Sequence, residues 1–467
     1  MRTYEEYSVC TQLWERLFPS HWKLLPMYAL AKEKSICNCV ELPLLSVYLD
    51  VGVIPFSQKA EKRTNVTSKD LSKYQRVDPG DFVLNNQQAW RGSVGVSFHT
   101  GIVSPAYIVL AMNGMLDSRY GNYLLRSRTM VDQYLIRSKS VGSIQRNIYW
   151  PALKRTCVPV PPLDEQHQIV RFLDWKVSSI NRLISNYRHQ IAMLDEMKHR
   201  TIDEAVIKGL RKAVLIHNED VRWDIDYPKN WTLKRIRESF SFRKGLSITK
   251  ANLEETGIAV ISYGQVHSKK NSGVGLNEEL IRYVNKSYLS KNRSCLVEKG
   301  DFIFADTSED VTGCGNCAYI DWDDTIFAGY HSIIAHPDGS TNNKYLAYLF
   351  KSPTWRYQIR KKVNGVKVYS ITQKMLKDAF ILVPPTDEQD EIVQYLDAIC
   401  AKIDASINKL MEKISNLQEL KVCLVADSVT GKIDVRGVEI PEYEFVDEVA
   451  DNDAENDGEE DTEEQED

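Results

Sequence analysis

The chain has 467 residues, 43% of them hydrophobic and 26% charged, which is more than one core supports, because single cores stop growing near roughly 250–300 residues. No apolar run approaches the roughly 20 residues of a membrane span, which excludes an integral membrane protein. Acids in Met1–Glu6, where a secretory signal carries bases, point to the cytoplasm, and the odd count of nine cysteines in a net −5 chain predicts free thiols rather than a disulfide frame.

Residues 1–160 read as a first globular domain. From Pro19 to about Pro159, short β-rich runs such as Phe82-Val83-Leu84 alternate with Gly, Asn, Asp and Pro turns, which predicts a mixed domain with irregular sheets. After Pro161-Pro162 the pattern changes, and residues 161–210 read as a long helix. Leu173, Val177, Ile180, Ile184, Tyr187, Ile191 and Leu194 recur every three or four positions, the period of a coiled-coil seam. Lacking a capping hydroxyl at Leu163, this helix would use Asp164 as its cap.

Residues 211–383 read as a second globular domain, β-rich from Pro228 to about Val383, with runs such as Cys295-Leu296-Val297. Residues 384–435 form the second long helix, with a seam of Leu396, Cys400, Ile403, Ile407, Leu410, Ile414 and Leu417. Here Thr386 and Gln389 have the spacing of a capping box. At 1.5 Å per residue each helix makes a rod of about 65 Å. Matched lengths and registers favour packing of the two rods on each other, an intramolecular coiled coil, over two separate amphipathic helices.

Residues 436–467 read as a disordered acidic tail. From Glu442 onward there are 15 Asp or Glu and no Lys or Arg, too little apolar content to offset ordering entropy. Without these acids the balance is 59 basic against 49 acidic residues, so a basic body carries an acidic arm.

The two halves are copies. Pro161-Pro162-Leu163-Asp164-Glu165-Gln166 recurs as Pro384-Pro385-Thr386-Asp387-Glu388-Gln389, an offset of 223 residues that also carries Gly142 onto Gly365, Ile148 onto Ile371 and Asp174 onto Asp397. With small gaps, Tyr120 to Leu124 falls on Tyr345 to Leu349, Gly80-Asp81-Phe82 on Gly300-Asp301-Phe302, and Trp22 on Trp231.

Catalytic motifs are absent from this reading. There is no glycine-rich phosphate loop, no dinucleotide fingerprint, no paired-histidine zinc motif and no Asn/Asp-Pro-Pro-Tyr/Phe methyltransferase tetrapeptide. No catalytic residue is assigned. Asp306, Glu309 and Asp310 cluster as acids might in a nuclease, yet the first copy carries Asn85-Asn86-Gln87-Gln88 there. Cys314-Gly315-Asn316-Cys317 is a lone pair of cysteines without a second pair at zinc spacing, so no metal is assigned.

Both copies interleave basic residues with aromatics and amides. Gln88, Trp90 and Arg91 place amide and guanidinium groups where they could meet base edges. Arg137, Lys139 and Arg146 surround Gly142, and Arg360, Lys361, Lys362 and Lys367 surround Gly365, with Tyr369 beside them; Lys269 and Lys270 add charge in the second copy. A basic, glycine-centred turn before each helix points to a phosphate-facing loop, against the plainer reading of a solvated charged face.

This arrangement resembles the DNA-specificity subunit of type I restriction-modification systems. The resemblance covers about residues 20–440 and includes Gln88-Ala89-Trp90-Arg91-Gly92-Ser93-Val94-Gly95, Gly101 to Tyr107, Asp306-Thr307-Ser308-Glu309-Asp310 and Ser428-Val429-Thr430-Gly431-Lys432. The first helix ends instead in Ala205-Val206-Ile207-Lys208-Gly209. The resemblance implies an α+β chain of two similar mixed α/β target-recognition domains joined by two long antiparallel helices. Each domain would read one half of an asymmetric, bipartite double-stranded DNA site, with the helices setting the spacer. The helices would dock two modification (methyltransferase) subunits, and restriction (helicase-nuclease) subunits would join. S-adenosylmethionine, ATP and Mg would belong to those partners, none to this chain. A self-contained methyltransferase or endonuclease using the acids near Asp306, and a coiled-coil protein scaffold, are the alternatives.

Overall fold

The computed structural model describes residues 2–9, 17–49, 51–58, 70–141, 145–218, 223–365 and 368–447. The chain forms two compact units that do not follow its linear halves: residues 1–189 with 410–467, and residues 190–409. No helix among the described residues is long and apolar enough to cross a membrane.

The first unit is built on a four-stranded antiparallel sheet in the order Ala31–Glu33, Tyr107–Met112, Phe82–Asn85, Val94–Val96. Its central strand is apolar at successive positions because both of its faces are covered. Phe82 and Leu84 enter one core with Trp22, Tyr120 and Leu124, while Val83 enters another with Leu45, Val47 and Val103. The second unit repeats the sheet as Phe240–Lys244, Ser332–Pro337, Phe302–Ala305, Cys317–Tyr319. Phe302 and Phe304 face one core, Ile303 and Ala305 the other. A five-stranded sheet of the second unit includes one parallel pair, Ile258–Ile261 against Ile326–Ala328.

In each unit a short strand leads into a long helix. Cys157–Val160 pairs with Lys23–Pro26, and Phe380–Val383 pairs with Thr232–Arg235. The helices run Leu163–Lys208 and Thr386–Val429. Proline just before a helix costs no backbone bond, because the N–H it lacks would be unpaired there. The expected capping box does not form. The helix begins one residue earlier than the box requires: Gln389 N donates to the Pro385 carbonyl at 3.0 Å, which makes Thr386 the first helical residue rather than the cap, and the Gln389 side chain bonds elsewhere, its Nε2 donating to the Pro384 carbonyl at 2.8 Å and its Oε1 accepting from Asn342 N at 2.7 Å. Gln166 does the same with Pro161 at 2.9 Å and Asp117 N at 2.8 Å. Asp164 lies within the first turn of its helix rather than before it.

The seam positions are the inward ones. Leu173, Ile180 and Ile184 are buried in the first unit with Leu424 and Val429, and Ile414 and Leu417 pack beside them; Val177 and Leu410 are half-buried. In the second unit Leu396, Cys400 and Ile403 are buried, and Ile191, Leu194 and Ile407 are half-buried. The start of each long helix therefore shares a unit with the end of the other, the antiparallel arrangement. Tyr120 donates its hydroxyl to the Val429 carbonyl at 3.3 Å, and Tyr345 donates to Val206 at 3.3 Å. Lys198 pairs with Asp404 at 2.5 Å.

The first part of the segment expected to be a disordered tail, from residue 436, is docked. Val438 and Ile440 pack on the first unit's core, and Gln168 Nε2 donates to the carbonyls of Val435 and Val438 at 3.1 and 2.9 Å. Further along, Ser178 Oγ donates to Glu444 O at 3.0 Å and accepts from Val446 N at 2.7 Å, and Asn181 donates to Val446 O at 3.1 Å. Backbone groups do this docking, so acidic side chains do not prevent it. Residues 448–467 lie outside the described residues.

Candidate nucleic-acid interface

In the first unit the strand Phe82–Asn85 runs into a loop that closes at Ser93. Gln88 N donates to Asn85 O at 3.1 Å, and the single turn Ala89–Arg91 ends at Gly92, whose φ of 106° only glycine adopts readily. Ala89 is buried and fixes the turn, leaving Gln88 and Arg91 exposed. The Trp90 indole N–H donates to Gln87 O at 2.9 Å, so that nitrogen is spent within the loop. Its ring instead carries the Arg91 guanidinium, 4.7 Å from the centroid. A guanidinium held this way keeps its donor fork free of the stack, the geometry that grips guanine O6 and N7.

The basic residues expected near Gly142 lie beside this loop. Ile148 N donates to both Asn86 O at 3.2 Å and Asn86 Oδ1 at 2.9 Å, tying the hairpin Ser138–Val141 and Gln145–Ile148 to the loop. Lys139 and Arg146 belong to this hairpin, opposite Asn147 and Ser140. Lys139 Nζ sits 3.6 Å from the Tyr149 ring centroid, and Arg137 closes the helix Arg128–Ile136 with its Nε buried and without a hydrogen bond. Gln88, Trp90, Arg91, Arg137, Lys139 and Arg146 are thus brought to one region. Gly142 itself lies outside the described residues.

The second unit carries the equivalent loop at Asp306–Asn316. Ile371 N donates to Asp306 O at 2.7 Å, matching Ile148 and Asn86, and Thr307–Ser308 pairs with Tyr369–Ser370. Asp310 accepts from Thr312 Oγ1 and Gly313 N, each at 2.6 Å, and these bonds hold its carboxyl below the usual carboxylate range. A carboxylate so engaged braces a turn and is poorly placed to take up a proton. His267 organises the same loop: Nε2–H donates to Thr307 O at 2.8 Å while Nδ1 accepts from Asn316 Nδ2 at 3.1 Å. Sequence reading missed His267, whose partners lie 40 and 49 residues away and share no motif with it.

Not every predicted basic residue faces outward. Arg360 is half-buried, its guanidinium donates to Thr312 O at 2.5 Å, and burial lowers its pKa. That bond braces the loop from the last residue of the helix Pro353–Arg360. Lys361 is exposed, 5.9 Å from the Tyr357 ring centroid, and Lys362 and Tyr369 are half-buried. Lys269 and Lys270 are exposed just after the helix Tyr263–His267; Lys270 pairs with Glu279 at 2.7 Å. Lys367 lies outside the described residues.

Cys314 and Cys317 are buried, and burial pushes the Cys317 thiol up to about 12. Cys314 donates its S–H to Asp310 O at 3.5 Å. Protonated thiols at these positions fill the core, whereas zinc binds thiolates. Among the described residues no three His, Cys, Asp or Glu side chains converge as metal ligands.

The family described as "Type I restriction modification DNA specificity domain" matches residues 34–191 and again 228–416. Curated relatives include the type I restriction enzyme MjaVIII specificity subunit of Methanocaldococcus jannaschii, 22% identical over 90% of this chain and 95% of its own length. The type I restriction enzyme EcoKI specificity subunit of Escherichia coli K12 is 23% identical over 75% of this chain and 74% of its own. Among solved structures, a chain from a study of complex assembly and conformational transition of the type I R-M system has the same fold, with a TM-score of 0.62 at 16% identity, covering 89% of this chain and 99% of that one.

Proposed function

Because the chain belongs to the type I restriction-modification DNA specificity family, we propose that it is the DNA-reading subunit of such a complex, each unit reading one half of a bipartite, asymmetric site. The observation that carries this reading is a repeated scaffold with exchanged side chains. Ile148 N on Asn86 O and Ile371 N on Asp306 O fix the same loop in both units, yet one presents Gln88, Trp90 and Arg91 and the other Glu309 to Thr312. A duplicated frame with different exposed groups suits two readers of different sequences.

The chain itself carries no chemistry in this reading. Asp310 is committed to its turn, and the cysteines to the core, which speaks against a self-contained nuclease or methyltransferase. Two modification subunits would dock on the long helices and supply the S-adenosylmethionine site; restriction subunits would bring ATP and Mg chemistry. The complex would work in the cytoplasm, where the DNA is.

Replacing residues 20–155 with the first domain of another family member, then sequencing the methylome of a host that carries the modification subunits, tests the division of labour. One half of the methylated motif changes and the other persists. A swap that alters both halves contradicts it. The purified chain alone should neither methylate nor cleave DNA.

A further inference from the structure

The residue that opens each loop also donates its backbone N–H to a neighbouring turn: Asn86 to Ala106 O at 3.3 Å, Asp306 to His331 O at 3.1 Å. The backbone bond is repeated and the side chains are not. His331 has a φ of 53°, in the left-handed region that side chains other than glycine seldom occupy; among the described residues Asn38 is the other such case, and Ala106 is not one. Its ring is 56% exposed, so packing does not hold it there. Instead it is oriented from outside the core: Nδ1 lies 3.1 Å from Asp306 Oδ1, and the Tyr263 and Tyr330 rings meet it edge-on at 5.5 and 6.1 Å. Glycine would satisfy this turn at lower conformational cost. An oriented, exposed imidazole in a disfavoured backbone conformation is therefore kept for something it meets outside the fold.

We propose that His331, oriented by Asp306, is a specificity-determining residue that reads a cytosine in the half-site bound by the second unit; this rests on the DNA-reading function proposed above. With Nδ1–H donated to Asp306, Nε2 presents a lone pair, and the second carboxylate oxygen presents another acceptor. Cytosine offers a single major-groove donor, the N4 amine, and acidic side chains select it for that reason. Adenine also offers an amine, but its adjacent N7 is an acceptor that opposes a second acceptor. The setting is suitable: Asp306 O accepts from Ile371 N, next to Tyr369 and the basic turn that precedes it.

The test uses the complete chain with its modification subunits in a host whose methylome is sequenced. His331→Gly relaxes the backbone while removing the imidazole, and Asp306→Ala removes the orienting acceptor. Both variants are expected to keep the bipartite motif and to lose discrimination about tenfold or more at one C·G pair of one half-site. A motif unchanged at every position in His331→Gly overturns this inference and leaves the proposed function standing. Loosening confined to an A·T pair, or loss of all methylation with unfolding temperature unchanged, overturns it as well. A wild-type chain that directs no bipartite methylation overturns the proposed function itself.

Discussion

Glu388, only 2% exposed, accepts the indole N–H of Trp231 at 3.0 Å across 157 residues of sequence. Glu165 accepts from Trp22 at 3.0 Å in the other unit, and also takes the Tyr4 hydroxyl at 2.5 Å and His21 Nε2 at 2.7 Å. The two carboxylates occupy the same place in the repeat but differ in their donors. Trp231→Phe should destabilise the second unit by about 1.5–3 kcal/mol, the scale of a hydrogen bond to a buried charged group. Trp22→Phe should cost less, because two donors remain. Denaturant titration of both variants checks the order; equal losses would contradict it.

Three basic residues should fail in three ways. Arg91→Ala should change base preference in one half-site by about 1–3 kcal/mol. Lys361→Ala should weaken binding to all sequences alike and flatten its salt dependence by about one unit of slope. Arg360→Ala, which removes the donor to Thr312 O, should lower the unfolding temperature with little change in the salt slope. DNA-binding titrations of the assembled complex at several salt concentrations, beside thermal scans, separate these outcomes.

Removing residues 448–467 should leave stability unchanged, whereas removing 436–467 should not. The longer deletion strips Val438 and Ile440 from the core and leaves Ser178 and Asn181, 2% and 7% exposed, without their backbone partners. The expected loss is about 3 kcal/mol or more. Matching unfolding curves for the two truncations would show that the segment 436–447 contributes nothing.

Asp310 gives the second unit a defined response to acid. Its folded pKa lies below the ordinary value of 3.8, so it binds protons less readily folded than unfolded. Its contribution is present above the unfolded pKa and is lost as pH falls through the folded one. Asp310→Ala should therefore lower the unfolding temperature at neutral pH, with the difference from wild type shrinking in acid below 3.8. A difference that grows on acidification would reverse the sign and refute the assignment.

The duplicated motif and the helical seams were legible because both are written in local spacing: Pro161 to Gln166 recurs with only Leu163 exchanged for Thr386, and Leu173, Ile180 and Ile184 fall where a 3.5-residue period puts them. What the motif is for was not legible. Glu165 and Glu388 accept indoles from 143 and 157 residues away, and Gln389 accepts from Asn342 N, 47 residues away. The segment 436–447 reads as tail by composition, since backbone groups that dock on Ser178 and Asn181 leave no mark in the sequence. Gln88, Trp90 and Arg91 are neighbours in the sequence itself, while the bond from Arg360 to the Thr312 carbonyl, 48 residues away, leaves no mark in it.

The second unit is one unbroken stretch, residues 190–409, but the first joins residues 1–189 to 410–467. Leu424, Val429 and Val435 belong to the same core as Trp22 and Phe82. On the ribosome, then, the amino-terminal unit is the first to be made and the last to be completed. Until Val429 emerges, Tyr120 has no carbonyl there to receive its hydroxyl, and part of that core faces solvent while the whole contiguous unit behind it has already been synthesised. The order of completion runs opposite to the order of synthesis, so a nascent chain that ends between residues 210 and 424 lacks the residues that close its first core.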